Sequence, residues 1–264
     1  MQIPLVPLAL ASLLSGHGLR KHSLSPSGAL AALVVGFLMM AGGTRVFGVT
    51  LIGFYLVGSR ATKYGKNRKA LLEDGYQEGG YRSAWQVLCN SASALVASVL
   101  WNAAFAPTSV QAAGARLLGV DVAALVLHLN NTTPYDTSDK GWCPASTTVA
   151  DGWSRALMFA SLGHFACCLG DTLASELGIL SRSRPRLITT LKAVPPGTNG
   201  AMSFGGTVAS IVGGGVVGTL VGVTLVLENA KCSEGWSHIL FESVCWGMCW
   251  GGFGSLVSPD SPWK

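Results

Sequence analysis

Two carboxylates, Asp171 and Glu176, lie near the end of an apolar segment, in the sequence GDTLASELG. An ionisable side chain at membrane depth is costly and points to function by default. The next twenty residues, SRSRPRLITTLKAVPPGTNG, supply arginines, a lysine, hydroxyls and a Pro-Gly turn. Arginine and lysine bind phosphate oxygens, and a carboxylate holds Mg²⁺ while phosphates and water complete its shell. The pattern therefore fits the binding of a polyphosphate with Mg²⁺.

The same stretch also has a purely structural interpretation, in which a basic cytoplasmic loop follows a polar packing residue. On a helix, one face would carry a single carboxylate at its start followed by small residues: Asp171, Ala174, Ser175 and Gly178. Another helix or a ligand could approach this face closely. Glu176 would lie about 140° away from Asp171, so the two acids form no obvious pair.

The composition is that of a membrane protein. Of 264 residues, 49% are hydrophobic and only 12% are charged, whereas a soluble domain carries roughly 25% charged residues. The 34 glycines suit close helix packing in lipid. Since a spanning helix needs about 20 residues, we predict an all-α, multi-pass transmembrane bundle of about six to eight helices. Residues 1–264 would form a single membrane domain.

Apolar runs mark the expected helices. Seven are clear, and a weaker one contains Asp121: 2–15, 28–42, 46–58, 84–105, 155–180, 203–227 and 238–257, then 115–129. The runs 28–42 and 46–58 would form either a tight hairpin or one tilted helix. We expect 115–129 to be lumenal or re-entrant, since one more crossing would invert the loop that follows GDTLASELG.

Charge orients the bundle. The basic loops 59–83 and 181–200 are predicted to be cytoplasmic, and the region 106–153 to lie opposite. That region carries two overlapping glycosylation sequons, at Asn130 and Asn131. An endomembrane such as the endoplasmic reticulum is therefore expected. The net charge of +5 resides in the cytoplasmic loops and matches membrane lipid headgroups, so no nucleic acid partner is expected.

The seven cysteines include no CxxC pair. Cys143 falls in the predicted lumenal region, and most of the others are in apolar runs. We interpret Cys167, Cys168, Cys245 and Cys249 as small buried apolar side chains and not as metal ligands.

Several separate segments carry a family resemblance: SGALAALVVGF, YQEGGYRSAWQVLCNS, GDTLASELG, PRLITT and VPPGTNG. They occur in order over about residues 20–226, and together they resemble the integral membrane family labelled domain of unknown function 92. That family includes a plant phytyl-phosphate kinase. Its GDxxAS element is more distantly similar to those of CTP-dependent polyprenol kinases and CDP-diacylglycerol synthases. The resemblance implies a membrane-embedded phosphotransferase that uses CTP or another nucleoside triphosphate with Mg²⁺, acting on a lipid such as an isoprenoid phosphate.

The resemblance also implies roles for single residues. Asp171 and Lys192 would be the catalytic residues, with Asp171 as the metal-binding carboxylate, and Lys192 and Arg186 would contact the nucleotide phosphates. The remaining nucleotide-binding positions would be Thr189, Thr190, Thr198, Asn199 and Gly200. Accessory positions would be Ser175, Glu176, Lys63 and Glu78.

At its end the chain departs from the family pattern. Relatives continue with a second GSxxDSxLGA-like element, whereas here the sequence GGFGSLVSPDSPWK follows Trp250. We therefore expect a chain truncated at the C-terminus. Two other interpretations stay open: a non-catalytic membrane scaffold or regulator, in which GDTLASELG serves helix packing, and a transporter.

Overall fold

The computed structural model describes residues 4–72, 81–130, 132–138, 140–181, 183–187, 189–190, 192–195, 198 and 201–257. Helices dominate these residues, and two-residue strands form one small antiparallel sheet. The elements are α1 (Leu5–Arg20), α2 (Pro26–Met40), α3 (Val46–Lys63), α4 (Lys66–Leu72), α5 (Ala84–Cys89), α6 (Ala92–Phe105), α7 (Val110–Leu117), α8 (Val122–Leu125), a 3₁₀ turn (Ala150–Gly152), α9 (Trp153–Gly178), β1 (Arg186–Leu187), β2 (Ala201–Met202), α10 (Phe204–Glu228), α11 (Ala230–Glu234) and α12 (Trp236–Val257).

The predicted all-α fold is confirmed. Within the described ranges, seven helices have 14 or more residues, namely α1, α2, α3, α6, α9, α10 and α12. The runs 28–42 and 46–58 form two separate helices, α2 and α3. The prediction of one run over 84–105 was wrong, since the helix breaks at Asn90 and Ser91. There the Ser91 hydroxyl bonds the Val87 carbonyl and replaces a regular helix contact.

The seven long helices agree in number with the predicted six to eight, and only some of them have the length and composition of a full membrane span. By length and composition, two described helices are long and apolar enough to cross: α10, and α9 with its preceding 3₁₀ turn. The pair α6 and α7, bent by 77° at the break between them, would make a third. Helices such as α2, with 15 residues, fall short of the roughly 20 that a perpendicular span needs. Residues 115–129 form only the end of α7 and the four-residue α8, consistent with the expectation that they do not span.

The described parts of three basic segments meet at one end of the bundle, here named the basic end: the loop 21–25, the segment 59–83 and the connection 179–203. Leu24 pairs with Arg82 in an isolated bridge, which joins the first two. Lys69 pairs with Glu176 at the end of α9, which joins the second to the third. This grouping agrees with the prediction that the loops 59–83 and 181–200 lie on the same side, and it adds the loop 21–25.

The opposite end, here named the disulfide end, is closed by a Cys143–Cys232 bond. The bond joins the segment between α8 and α9 to α11. Two further contacts strengthen this end: the Thr44 hydroxyl donates to Glu228 over 3.0 Å, and the Asn229 amide donates to the Trp142 carbonyl over 3.1 Å. Residues 106–153 therefore lie opposite the basic loops, as predicted.

Close packing of α9, α10 and α12 depends on glycine. A Cβ added at Gly251 would lie 2.6 Å from the Ser210 carbonyl oxygen, and one at Gly170 would lie 2.6 Å from the Gly251 carbonyl oxygen. No side chain fits at such distances, so only glycine allows these backbones to touch. The three helices form the rigid frame that holds GDTLASELG.

Candidate functional site

The motif GDTLASELG forms the last turns of α9. Asp171 is half-buried and lies seven residues before Gly178, the last residue of the helix. At 1.5 Å per residue this places it about 10 Å inside the helix end. The carboxylate therefore lies near the basic end but below its surface.

The small-residue face of the motif is divided between a helix contact and an open surface. A Cβ at Gly206 of α10 would lie 3.0 Å from the Ala174 carbonyl oxygen, and one at Gly178 would lie 3.2 Å from the Gly206 Cα. Ser175, in contrast, is exposed, and its hydroxyl bonds the Thr172 carbonyl of its own helix. Another helix thus approaches part of this face, as the pattern allowed, and the part at Ser175 stays accessible.

Glu176 forms an ion pair with Lys69. The Lys69 ammonium lies 2.6 Å from the carboxylate, and the lysine side chain is only 1% exposed. The same ammonium donates to the carbonyls of Ala61 and Thr62, at 2.9 and 3.3 Å. These carbonyls end α3, where a cation also suits the negative end of the helix dipole. One buried lysine therefore ties the ends of α3 and α9 together.

Arg82 lies close to this ion pair. Its backbone N–H donates to the Ser23 carbonyl over 3.1 Å, and its carbonyl accepts from the Ser25 N–H over 3.0 Å. Burial lowers the pKa of the Arg82 guanidinium from its ordinary value, while Tyr55 and Glu176 act in the opposite direction. Arg82 thus adds a third charge beside the end of GDTLASELG.

A small hairpin connects α9 to α10 and carries the predicted phosphate ligands. Arg186, in β1, pairs with Met202 and also bridges to Ala193. The Leu187 N–H donates to the Lys192 carbonyl over 3.0 Å. The backbone therefore brings Arg186 and Lys192 side by side, and both side chains are exposed.

The other predicted residues have varied positions. Thr189 and Thr190 are exposed in the turn of the hairpin, and the exposed Thr198 donates its hydroxyl to the Pro195 carbonyl over 2.8 Å. Lys63 is exposed at the end of α3. Glu78, Asn131, Asn199 and Gly200 lie outside the described residues, whereas Asn130 is described and exposed.

Sequence reasoning missed three structural features of the basic end and the disulfide end. The burial of Lys69 could not be recognised because the residue reads as one more charge in a basic loop. The position of Arg82 depends on a bridge to a loop almost sixty residues earlier. The disulfide joins Cys143 to a cysteine 89 residues later. Its only sequence signal was that Cys143 falls in the region predicted to be lumenal.

The free cysteines agree only in part with the expectation that they are buried. Cys167, Cys168 and Cys245 are half-buried, whereas Cys249 is exposed on α12. No group of three or more potential ligands from His, Cys, Asp and Glu occurs among the residues that the structure describes. Asp171 thus offers a single carboxylate, which fits a hard cation such as Mg²⁺ only when phosphate oxygens and water supply the other ligands.

These features define an integral membrane protein: apolar helices long enough to span a bilayer, a glycine-packed frame of α9, α10 and α12, and a basic end that lies opposite the disulfide end. The chain belongs to the integral membrane protein family DUF92, whose model matches residues 9–261.

Three relatives illustrate the extent of the similarity. Protein PGR of Arabidopsis thaliana is 33% identical over 228 residues, which cover 85% of this chain and 66% of that protein. An uncharacterized membrane protein of Methanocaldococcus jannaschii is 46% identical over 67 residues, covering 25% of this chain and 28% of that protein. One from Synechocystis is 42% identical over 62 residues, covering 24% of each. The chain thus spans less than two thirds of the length of each. No solved structure matches the chain.

Proposed function

We propose that the protein is a nucleotide-dependent phosphotransferase that acts at the basic end on a lipid phosphate, such as an isoprenoid phosphate. The observation that carries the proposal is the convergence of Asp171, the hairpin cations Arg186 and Lys192, and the Lys69–Glu176 pair at this one end of the bundle. Phosphoryl transfer requires mainly positioning and charge neutralisation. This arrangement supplies both from side chains on three connected segments.

Each residue has a defined task in this proposal. Arg186 and Lys192 bind the nucleotide phosphates, since charge-assisted bonds to phosphate are strong. The hydroxyls of Thr189, Thr190 and Thr198, with Asn199 and Gly200, shape the turn around the nucleotide. Asp171 contributes one oxygen ligand to Mg²⁺, which, when bound, would neutralise charge on the phosphates.

The reaction transfers the terminal phosphoryl group of CTP or another nucleoside triphosphate. An oxygen of the lipid monophosphate forms a new bond to the γ-phosphorus, and the bond from that phosphorus to the β-phosphate oxygen breaks. The nucleoside diphosphate leaves with that electron pair. Because the acceptor is already an ionised phosphate at neutral pH, the protein needs no strong general base.

Nucleotide binding tests this proposal. A ligand at 100 times its Kd stabilises the native state by about 2.7 kcal/mol. We expect CTP or ATP with Mg²⁺ to raise the thermal unfolding temperature of the detergent-purified protein, and Asp171→Asn to abolish the increase. Glu234→Gln removes an exposed carboxylate at the disulfide end, so it is the matched control and should keep the increase. No shift in folded wild-type protein would contradict the proposal.

Packing favours a second candidate, a non-catalytic scaffold. The glycines of GDTLASELG serve helix contacts, because Gly170 meets Gly251 and Gly178 meets Gly206. In this case Asp171→Asn should change the stability no more than Ser175→Ala does. Neither the wild type nor any variant should bind nucleotide. A selective effect of Asp171 on nucleotide binding would exclude the scaffold function.

We also propose that the protein resides in an endomembrane such as the endoplasmic reticulum, with the disulfide end in the lumen. Disulfides persist in oxidising compartments, and the Cys143–Cys232 bond lies at the same end as the exposed Asn130 sequon. The basic end would then face the cytoplasm and its nucleotides, as the positive-inside rule requires.

A further inference from the structure

Two adjacent cavities open near the basic end and share two lining residues, Tyr55 and Arg82. The larger, about 100 Å³, lies between α1, α2, α3 and α5 and is lined mostly by aliphatic and aromatic side chains. The smaller, about 20 Å³, lies at the ends of α1 and α3. A molecule that occupied both would therefore have an apolar part and a polar part.

The polar cavity has the chemistry of an anion site. Its lining includes the cationic or titratable side chains of His17, Lys21, Lys63 and Arg82. The hydroxyl-bearing residues Ser23, Ser59, Thr62 and Tyr55 complete it. No carboxylate is found among the described residues that line either cavity. Its small size favours a compact anionic group over a large headgroup.

Arg82 is fixed at the junction of the two cavities. The backbone bonds to Ser23 and Ser25 hold it on both sides. Its side chain is half-buried and lines both cavities. A guanidinium binds phosphate in a bidentate manner, so this position suits an anionic group at the junction.

We propose that the two cavities together bind a membrane lipid with a terminal monophosphate on a single apolar chain. The phosphate lies against Arg82, Lys21 and Lys63, and the first part of the chain enters the apolar cavity. One apolar cavity beside one anion site fits a single-chain lipid phosphate better than a two-chain phospholipid. The rest of a long chain remains in the bilayer, because the cavity is too small to enclose it.

The site lies beside the motif that holds Asp171. On α3, Tyr55, Gly58 and Thr62 share one helix face. Tyr55 and Thr62 line the polar cavity, while a Cβ at Gly58 would lie 3.9 Å from both Leu169 Cδ1 and Thr172 Cγ2 of α9. Lipid binding does not require catalysis. The further assignment of this cavity as the acceptor site for phosphoryl transfer rests on the function proposed above.

Binding of dodecyl phosphate to the detergent-purified full chain tests the inference. Dodecanol and inorganic phosphate, measured in parallel, separate the contributions of the chain and of the anion. We expect dodecyl phosphate to bind at least about tenfold more tightly than either, a difference of about 1.4 kcal/mol. Equal binding of dodecanol would overturn the anion site, and equal binding of inorganic phosphate would overturn the lipid site.

Variants locate the binding. Arg82→Gln should weaken dodecyl phosphate binding at least about tenfold, whereas Lys231→Gln, at the disulfide end, should leave it unchanged. If Arg82→Gln fails to fold, Lys63→Gln replaces it, because Lys63 is exposed at a helix end; we expect a weakening of about threefold or more. If a folded Arg82→Gln or Lys63→Gln protein binds dodecyl phosphate as tightly as Lys231→Gln does, the assignment of the lipid site to these cavities is refuted.

A further comparison separates this inference from the proposed function. Asp171→Asn should lose the nucleotide-dependent thermal shift but keep dodecyl phosphate binding. If wild-type protein binds dodecyl phosphate but no nucleotide, the proposed function fails and the lipid site stands. If it binds nucleotide but no dodecyl phosphate, the lipid site is refuted and the nucleotide site stands.

Discussion

The Lys69–Glu176 ion pair offers a sharp test of how the basic end is held together. The perturbation is a double-mutant cycle of Glu176→Gln, Lys69→Met and both together. Glutamine keeps the shape and one acceptor of glutamate but removes the charge. Since Lys69 is 1% exposed and the Glu176 side chain 25% exposed, each single variant leaves the partner charge in a poorly solvated site.

The magnitude follows from this burial. Removing one partner of a fully buried ion pair costs roughly 3–5 kcal/mol. Water reaches part of Glu176, so we expect the lower value of about 2–3 kcal/mol for Glu176→Gln. Lys69→Met should cost more, because it also removes the donor to the Ala61 and Thr62 carbonyls. The double variant should lose less unfolding free energy than the two single variants together, with a coupling energy of about 2 kcal/mol.

Thermal unfolding in detergent measures the effect. For proteins of about 150–250 residues, 1 kcal/mol shifts the unfolding temperature by about 2–4 °C. This chain of 264 residues is slightly longer, and we expect Glu176→Gln to lower its unfolding temperature by about 5–10 °C. Glu234→Gln is the matched control, because the Lys231–Glu234 pair has side chains that are 37% and 65% exposed. An exposed pair contributes at most about 1 kcal/mol.

Additivity would refute the argument. If the losses of unfolding free energy in the two single variants add up to the loss in the double variant within about 0.5 kcal/mol, Lys69 and Glu176 do not stabilise each other. If Glu176→Gln costs no more than Glu234→Gln, burial does not govern the strength of the pair.

Three other predictions concern the frame and its orientation. Replacing Cys143 and Cys232 by serine should lower the free energy of unfolding by about 2–5 kcal/mol, measured as a lower unfolding temperature. Wild type should show the same lower temperature only when a reductant breaks its disulfide. Endoglycosidase should shift the gel mobility of protein made in a secretory membrane, because Asn130 is exposed; unchanged mobility together with a missing disulfide would contradict the lumenal placement. Gly218→Ala should cost about 1–3 kcal/mol, because its Cβ would collide with the Ser243 carbonyl, whereas Gly235→Ala, with open space around it, should be neutral in the same unfolding assay.

Much of the fold could be predicted from apolar runs and charge. The runs located seven helices, and the clustering of basic residues placed the loops 59–83 and 181–200 at one end. Hydrophobicity could not show that the run 84–105 breaks at Asn90. The break depends on the Ser91 hydroxyl, which bonds the Val87 carbonyl, and one serine hardly changes the mean hydropathy of the run. Hydrophobicity also could not show how long each helix is, since a short helix such as α2 is as apolar as the long α10.

The candidate site was less accessible to sequence reasoning. GDTLASELG marked Asp171 as unusual, and the cations after it indicated phosphate. Nothing local could show that Lys69 is the buried partner of Glu176, or that Arg82 lies at a cavity with residues of α1 and α3. Such contacts join segments far apart in the chain, so they become visible only when the helices are packed.

Transfer of labelled phosphate tests the central claim most directly. Detergent-purified protein, dodecyl phosphate, Mg²⁺ and CTP or ATP labelled at the γ-phosphate are incubated together, and the label in the lipid is counted. The proposed function predicts labelled lipid diphosphate with wild type and with Glu234→Gln at the disulfide end, and a fall of about 100-fold or more with Asp171→Asn. Folded wild-type protein that labels no lipid above the Asp171→Asn level with either nucleotide would contradict it.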